Sequence, residues 1–177
     1  FLKNSRDIAY FNQFRNVRGD NVGFQYNEAK SGNGGAIFSE GLISGQWENS
    51  RFDNNSARGD GGAIFAANYS AETLFSCRLH GNEARTGSGG GIYLGGPNST
   101  LKMQNIVSHN NIDDTGGSEL FIGADTYSDI STSDFVSEIQ KSGNVLIKGE
   151  GKAHIISSTL KQLAILEDRK STRLNSS

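Results

Sequence analysis

The residues best equipped for chemistry in this chain are Arg51 and Asp53, and Arg78 and His80. Within each pair the spacing is two, and the second pair follows the first after 27 residues. On an extended strand a spacing of two puts both side chains on one face. If the 27-residue interval stacks one segment on the next, all four gather in one solvent-facing patch. Two cations beside an acid and an imidazole could grip a uronic-acid sugar or assist proton transfer. A solvated polar face is the plainer reading, and it is preferred. The next segment offers Ile106 and Ser108 at these positions, so the patch is not extended, and such a face alone does not confer catalysis.

Other candidates reduce to structure. His109 and His154 have no metal-ligand spacing around them. The single Cys77 excludes an internal disulfide or a multi-Cys metal site, and is expected to pack as a small apolar residue. Gly87-Ser88-Gly89-Gly90-Gly91 is not followed by Gly-Lys-Ser/Thr and is no phosphate loop. Asn33, Asp60, Ser88 and Thr115 form a column of turn formers with one acid. Arg18-Gly19-Asp20 and Arg58-Gly59-Asp60 would need flexible loop tips to act as integrin ligands. They are expected in turns whose composition generates such triplets readily. Asn54-Asn55-Ser56, Asn68-Tyr69-Ser70 and Asn98-Ser99-Thr100 are glycosylation sequons of the kind Asn/Ser-rich repeats produce. No catalytic, cofactor-binding or metal-ligating residue is assigned.

What positions these residues is a repeat. Gly34-Gly35-Ala36-Ile37-Phe38 returns as Gly61-Gly62-Ala63-Ile64-Phe65 and as Gly89-Gly90-Gly91-Ile92-Tyr93, at intervals of 27 and 28. A worn copy, Gly116-Gly117-Ser118-Glu119-Leu120-Phe121, follows after 27 more. Ala9-Tyr10-Phe11 and Val145-Leu146-Ile147 extend the beat backwards and forwards. A second marker, apolar-x-x-Asn, keeps the same phase from Phe24 to Asn27, Phe52 to Asn55, Leu79 to Asn82 and Val107 to Asn110. Internal repeats of this length mean a solenoid. At ~3.3 Å per extended residue, the contour suits a coil of three short strands that stacks on its neighbour at ~4.8 Å. The expected fold is therefore all-β, a right-handed parallel β-helix of about 27 residues per coil. Ile37, Ile64 and Ile92 should be immediate neighbours, the Asn column an internal amide ladder, and Phe52, Leu79 and Val107 a core column. The stretches from Ala66 to Glu72 and from Leu94 to Ser99 read as surface loops. A leucine-rich repeat is rejected for want of a dense Leu pattern.

Composition agrees. There are 23 glycines and one proline in 177 residues, where ~7% glycine is usual. Seventeen basic against 19 acidic residues give a net charge of −2, with no basic excess to draw nucleic acid or an anionic membrane. No apolar run approaches the ~18 residues of a membrane span.

Gly-Gly-Ala-Ile paired with Phe-x-x-Asn resembles the polymorphic outer-membrane protein repeat of chlamydial autotransporters. Phe52-Asp53-Asn54-Asn55 with Gly61-Gly62-Ala63-Ile64 carries the resemblance, as does Phe24-Gln25-Tyr26-Asn27 with Gly34-Gly35-Ala36-Ile37. It covers roughly residues 1–125. The resemblance implies a β-helix of the broad pectate-lyase-like class, exported and adhesive. Its implied partner class is a host-cell or matrix protein or a glycan.

Residues 1–167 are expected to form the β-helix, with clear repeats over 1–125 and degenerate coils over 126–167. Within the latter, the run from Leu160 to Leu166 reads as a strand or a short helix. Residues 168–177 read as the in-frame translation of a sequencing-library adapter and are set aside. The chain starts at Phe1 with no initiator Met or signal-peptide pattern, so it reads as a fragment of a larger secreted or surface protein. The expected role is a non-catalytic passenger or stalk, adhesin-like, on the cell or outer-membrane surface. The alternatives are a polysaccharide lyase or hydrolase and a structural spacer.

Overall fold

A computed structural model describes residues 9–10, 16–115, 117–136, 145–149, 151–156, 158–160 and 163–166. The 168–177 tail lies outside the described residues. Among those described, every strand pairs in parallel with the strand one coil away, and the strands fall into four sheets.

The first sheet holds Ala9–Tyr10, Ile37–Glu40, Ile64–Ala67, Ile92–Gly95, Leu120–Ile122, Val145–Lys148 and Leu163–Leu166. Asn16–Asp20, Ser44–Glu48, Ala71–Phe75, Ser99–Gln104, Thr126–Ser131 and Lys152–Ile156 make the second. The third contains Gly23–Gln25, Arg51–Asp53, Arg78–His80, Val107–His109, Asp134–Val136 and Thr159–Leu160. Glu28–Ala29, Ser56–Ala57, Glu83–Ala84 and Ile112–Asp113 form the narrow fourth. The chain is a parallel β-solenoid. Its full coils carry four strands, not three, because two residues after each ladder asparagine also pair between coils. Right-handed crossover is the sense that parallel strands adopt almost without exception.

Stacking is direct. Ile37 pairs with Ile64 and Ile64 with Ile92, and the file continues through Leu120 to Val145. Trp47, Leu74, Met103 and Ile130 make a second buried file. Phe24 and Phe52 stack at 4.9 Å between ring centroids, and Trp47 meets both edge-on. On the outside of the first sheet Phe38, Phe65, Tyr93 and Phe121 stack in sequence at 5.0, 5.2 and 4.8 Å. Offset stacks of this kind stabilise beyond the area they bury.

In the first three repeats the two glycines of Gly-Gly do different work. Gly34, Gly61, Gly89 and Gly117 have φ of 69°, 68°, 69° and 74°, a region closed to most side chains. The second glycine lies against the next coil: a Cβ on Gly62 would collide with the Gly90 carbonyl oxygen.

Several registers differ from the sequence reading. Ala9 pairs with Ile37, so that copy is 28 residues away. Leu120 pairs with Ile92 and with Val145, a coil of 28 followed by one of 25. Gly117 therefore occupies the positive-φ position and Glu119 falls in the file of Ala36, Ala63 and Gly91. Past the point where the markers fade, strands continue in register, and Leu163–Leu166 is a strand. Ala66 and Leu94 are buried strand residues and Glu72 is buried too, so the two segments read as loops are three-residue turns at 68–70 and 96–98.

Candidate functional site

The internal ladder comes first because it sets the outer face. Asn27, Asn55 and Asn82 each donate their side-chain amide to the Oδ1 of the next member, at 2.8, 2.9 and 2.8 Å. Their backbone N–H groups donate to the same oxygens. The second amide proton reaches back to a carbonyl one coil away, Phe24 O from Asn55 and Phe52 O from Asn82. The fourth member is Asn111, not Asn110. Asn110 holds the turn at φ 57°, as Asn54 does at 52°. Consequently Ser108, not Val107, follows Phe52 and Leu79 in the core file, and Val107 is 44% exposed.

Glu119 closes the ladder. Its carboxylate accepts the Asn111 side-chain amide, the Asn111 backbone N–H at 3.2 Å and the Ser108 hydroxyl at 2.7 Å. Burial raises its pKa to about 7, against the lowering effect of the Asn111 and Ser108 hydrogen bonds. A second buried acid, Glu72, accepts from Trp47 Nε1 at 2.9 Å and fills space that Gly45 leaves open. Burial also raises Glu72 to about 7, opposed by the Trp47 hydrogen bond.

On the outer face of the third sheet Arg51 lies beside Arg78, and Asp53 beside His80. The patch does extend: the next coil supplies Val107 and His109 in place of the expected Ile106 and Ser108. The His80 and His109 rings sit 4.5 Å apart at 45°. Burial, then the neighbouring His80 and Arg78, hold His109 below the usual imidazole range. Asp53 is not solvent-facing. Its Oδ2 accepts from Arg78 Nη2 at 2.6 Å and Gln25 Nε2 at 3.1 Å. Its Oδ1 is buried and finds no hydrogen-bond partner among the described residues. Arg51 is exposed and makes no ion pair among the described residues. Beside the two arginines runs a shallow groove of about 280 Å³.

Elsewhere the expected residues are structural. Arg18-Gly19-Asp20 lies in a strand rather than a turn, with Gly19 against Trp47. Arg58-Gly59-Asp60 is in a turn, pinned by backbone bonds to Ala29 and Gly32, and Asp60 accepts from the Ser88 N–H at 2.8 Å. Asn33 Oδ1 in turn accepts the Asp60 N–H, and the Ser88 and Thr115 hydroxyls bond at 2.5 Å. Cys77 is buried, with Sγ against the Trp47 carbonyl. Of the sequon asparagines, Asn54 and Asn98 are exposed, while Asn68 is half-buried and donates to Glu40. Among the described residues no three His, Cys, Asp or Glu side chains converge as a metal-holding group. No helix among them is long and apolar enough to cross a membrane.

Residues 49–67 span one whole structural motif: the third-sheet strand, the ladder position Asn55, the fourth-sheet strand, Gly61-Gly62 and the Ile64 strand. That same stretch has a counterpart among known families. Residues 49–67 match the Chlamydia polymorphic membrane protein repeat. The repeat match and the solenoid coincide, since both ladder and Gly-Gly turn fall inside it. No curated protein and no solved structure matches the chain.

Proposed function

We propose that this chain is a non-catalytic β-helical passenger segment of a protein displayed on the outer-membrane or cell surface, where it acts adhesively. The observation that carries this reading is the polymorphic membrane protein repeat at residues 49–67, set within coils whose interior is filled. A filled core leaves the outer sheet faces and the short turns as binding surface. Against catalysis, the acid set between the arginines and histidines, Asp53, is locked by Arg78 and Gln25, so it is poorly placed to move a proton.

Antibodies raised against the folded chain should label intact source cells before permeabilisation, and protease treatment of those cells should remove the signal. Labelling seen only after lysis would reject surface display. Incubation with uronate polymers should yield no unsaturated product. Product formation that is lost in His80→Ala would establish the lyase alternative instead.

A further inference from the structure

We propose that the groove beside Arg51 and Arg78 is a binding site for a sulfate ester on an acidic glycan. This rests on the surface reading above and names its partner. The two arginines occupy paired positions on adjacent strands, so their side chains leave the sheet one strand spacing, ~4.8 Å, apart. Like charges set directly opposite one another destabilise a sheet. Only Arg78 has a carboxylate, Asp53, to offset this among the described residues. Arg51 makes no ion pair among the described residues, and an anion bound between the two guanidinium groups would offset their repulsion.

The groove follows the corner between the second and third sheets, past Asn49, Ser76 and Asn105 in three successive coils. All three hold positive φ, at 48°, 52° and 56°, which keeps the corner sharp and brings their side chains alongside the arginines. Asn49 donates to Asp20 and Asn105 to Ser76. The asparagine carbonyl oxygens are thus oriented and open to sugar hydroxyls. At the third coil Val107 presents an exposed apolar face, suited to the C–H side of a sugar ring. The corner over three coils is ~10 Å long, two strand spacings.

Sulfate is favoured over carboxylate by oxygen count. A carboxylate is satisfied by one bidentate fork, which leaves no oxygen free for a second guanidinium. A sulfate ester has three free oxygens, one for each guanidinium and one for a neighbouring donor. Four acids border the groove: Asp53 on Arg78, Glu48 near Cys77, Asp20 on Asn49 and Asp134 beside Val107, so the attraction is local to the paired guanidinium groups and does not come from a broad positive field.

The test compares retention of the full chain on immobilised heparin and on the same polymer desulfated with its carboxylates intact, at ~0.15 M salt. Retention on the sulfated polymer alone is expected. Arg51→Gln should weaken it about tenfold, a loss of ~1.4 kcal/mol, with an unchanged circular dichroism spectrum because Arg51 has no ion-pair partner among the described residues. Arg58→Gln, which removes the same charge from a different corner, should bind as the native chain does. Equal retention on both polymers, equal losses in the two variants, or no retention at all would each overturn the assignment. Surface display is judged separately by antibody labelling, so the two readings fail independently.

Discussion

Adjacent asparagines with different duties show how sharply single positions are specified. Asn111 is wholly buried and supplies both donors and an acceptor to the ladder, while Asn110 only holds a positive-φ turn. Asn111→Ala would strand the Asn82 amide and backbone N–H, and should cost about 3 kcal/mol or more in urea unfolding. Asn110→Gly, which keeps the turn conformation accessible, should cost no more than a few tenths of a kcal/mol. The buried acids give the protein an acid-stabilised profile. Glu72 and Glu119 both rise from 4.5 to about 7 in the folded state, so the folded chain holds protons that the unfolded chain has released. Their contribution is fully present below pH ~4.5 and is lost as pH rises through 7, at about 3 kcal/mol for each group. The urea midpoint should therefore fall between pH 5 and pH 8. Glu72→Gln, which still accepts from Trp47, should flatten that slope. A midpoint rising over this interval would refute the assignment.

At the scale of the element, each coil is limited by how closely its backbone can approach the next. Gly62 marks the closest backbone approach within the matched repeat: a methyl group there would collide with the Gly90 carbonyl oxygen and lie 2.6 Å from the Glu83 backbone. Gly62→Ala must push two coils apart, and a loss of about 3 kcal/mol in thermal unfolding is expected. Gly23 begins a strand with nothing within 4 Å of its Cβ position. Gly23→Ala should be neutral or stabilising by ~0.5 kcal/mol. Three strands per coil were legible from the Gly-Gly and Asn markers, including Val145–Lys148, where the markers are worn; the two-residue strands of the fourth sheet were not. Register was not. Val107 looked like the core residue because it is apolar, but Ser108 takes that place because Glu119 accepts its hydroxyl proton. A strand read one residue out of step exchanges its two faces, and that slip hid His109 from the outer patch.

Over the whole molecule, stability is distributed along the stack, each coil leaning on its two neighbours. Exchange of backbone amides should reflect this. Ile64 and Ile92, bonded to Gly91 O and Glu119 O inside the central files, should exchange only with global opening. Leu42, 71% exposed in a turn, should exchange far sooner. Equal protection at these sites would contradict a cooperative stack. Periodicity alone determined that the chain winds into a parallel all-β solenoid, because a repeat of fixed length forces like residues into files. It also determined that Ile37, Ile64 and Ile92 touch. Only the tertiary structure decided where coils of 25, 28 and 29 residues absorb their differences in length, and so which residue faces in. The burial of Glu72 and Glu119, the locking of Asp53 and the exposure of Arg51 beside its groove follow from contacts between coils. Those contacts depend on register, and a single shifted residue changes every one of them.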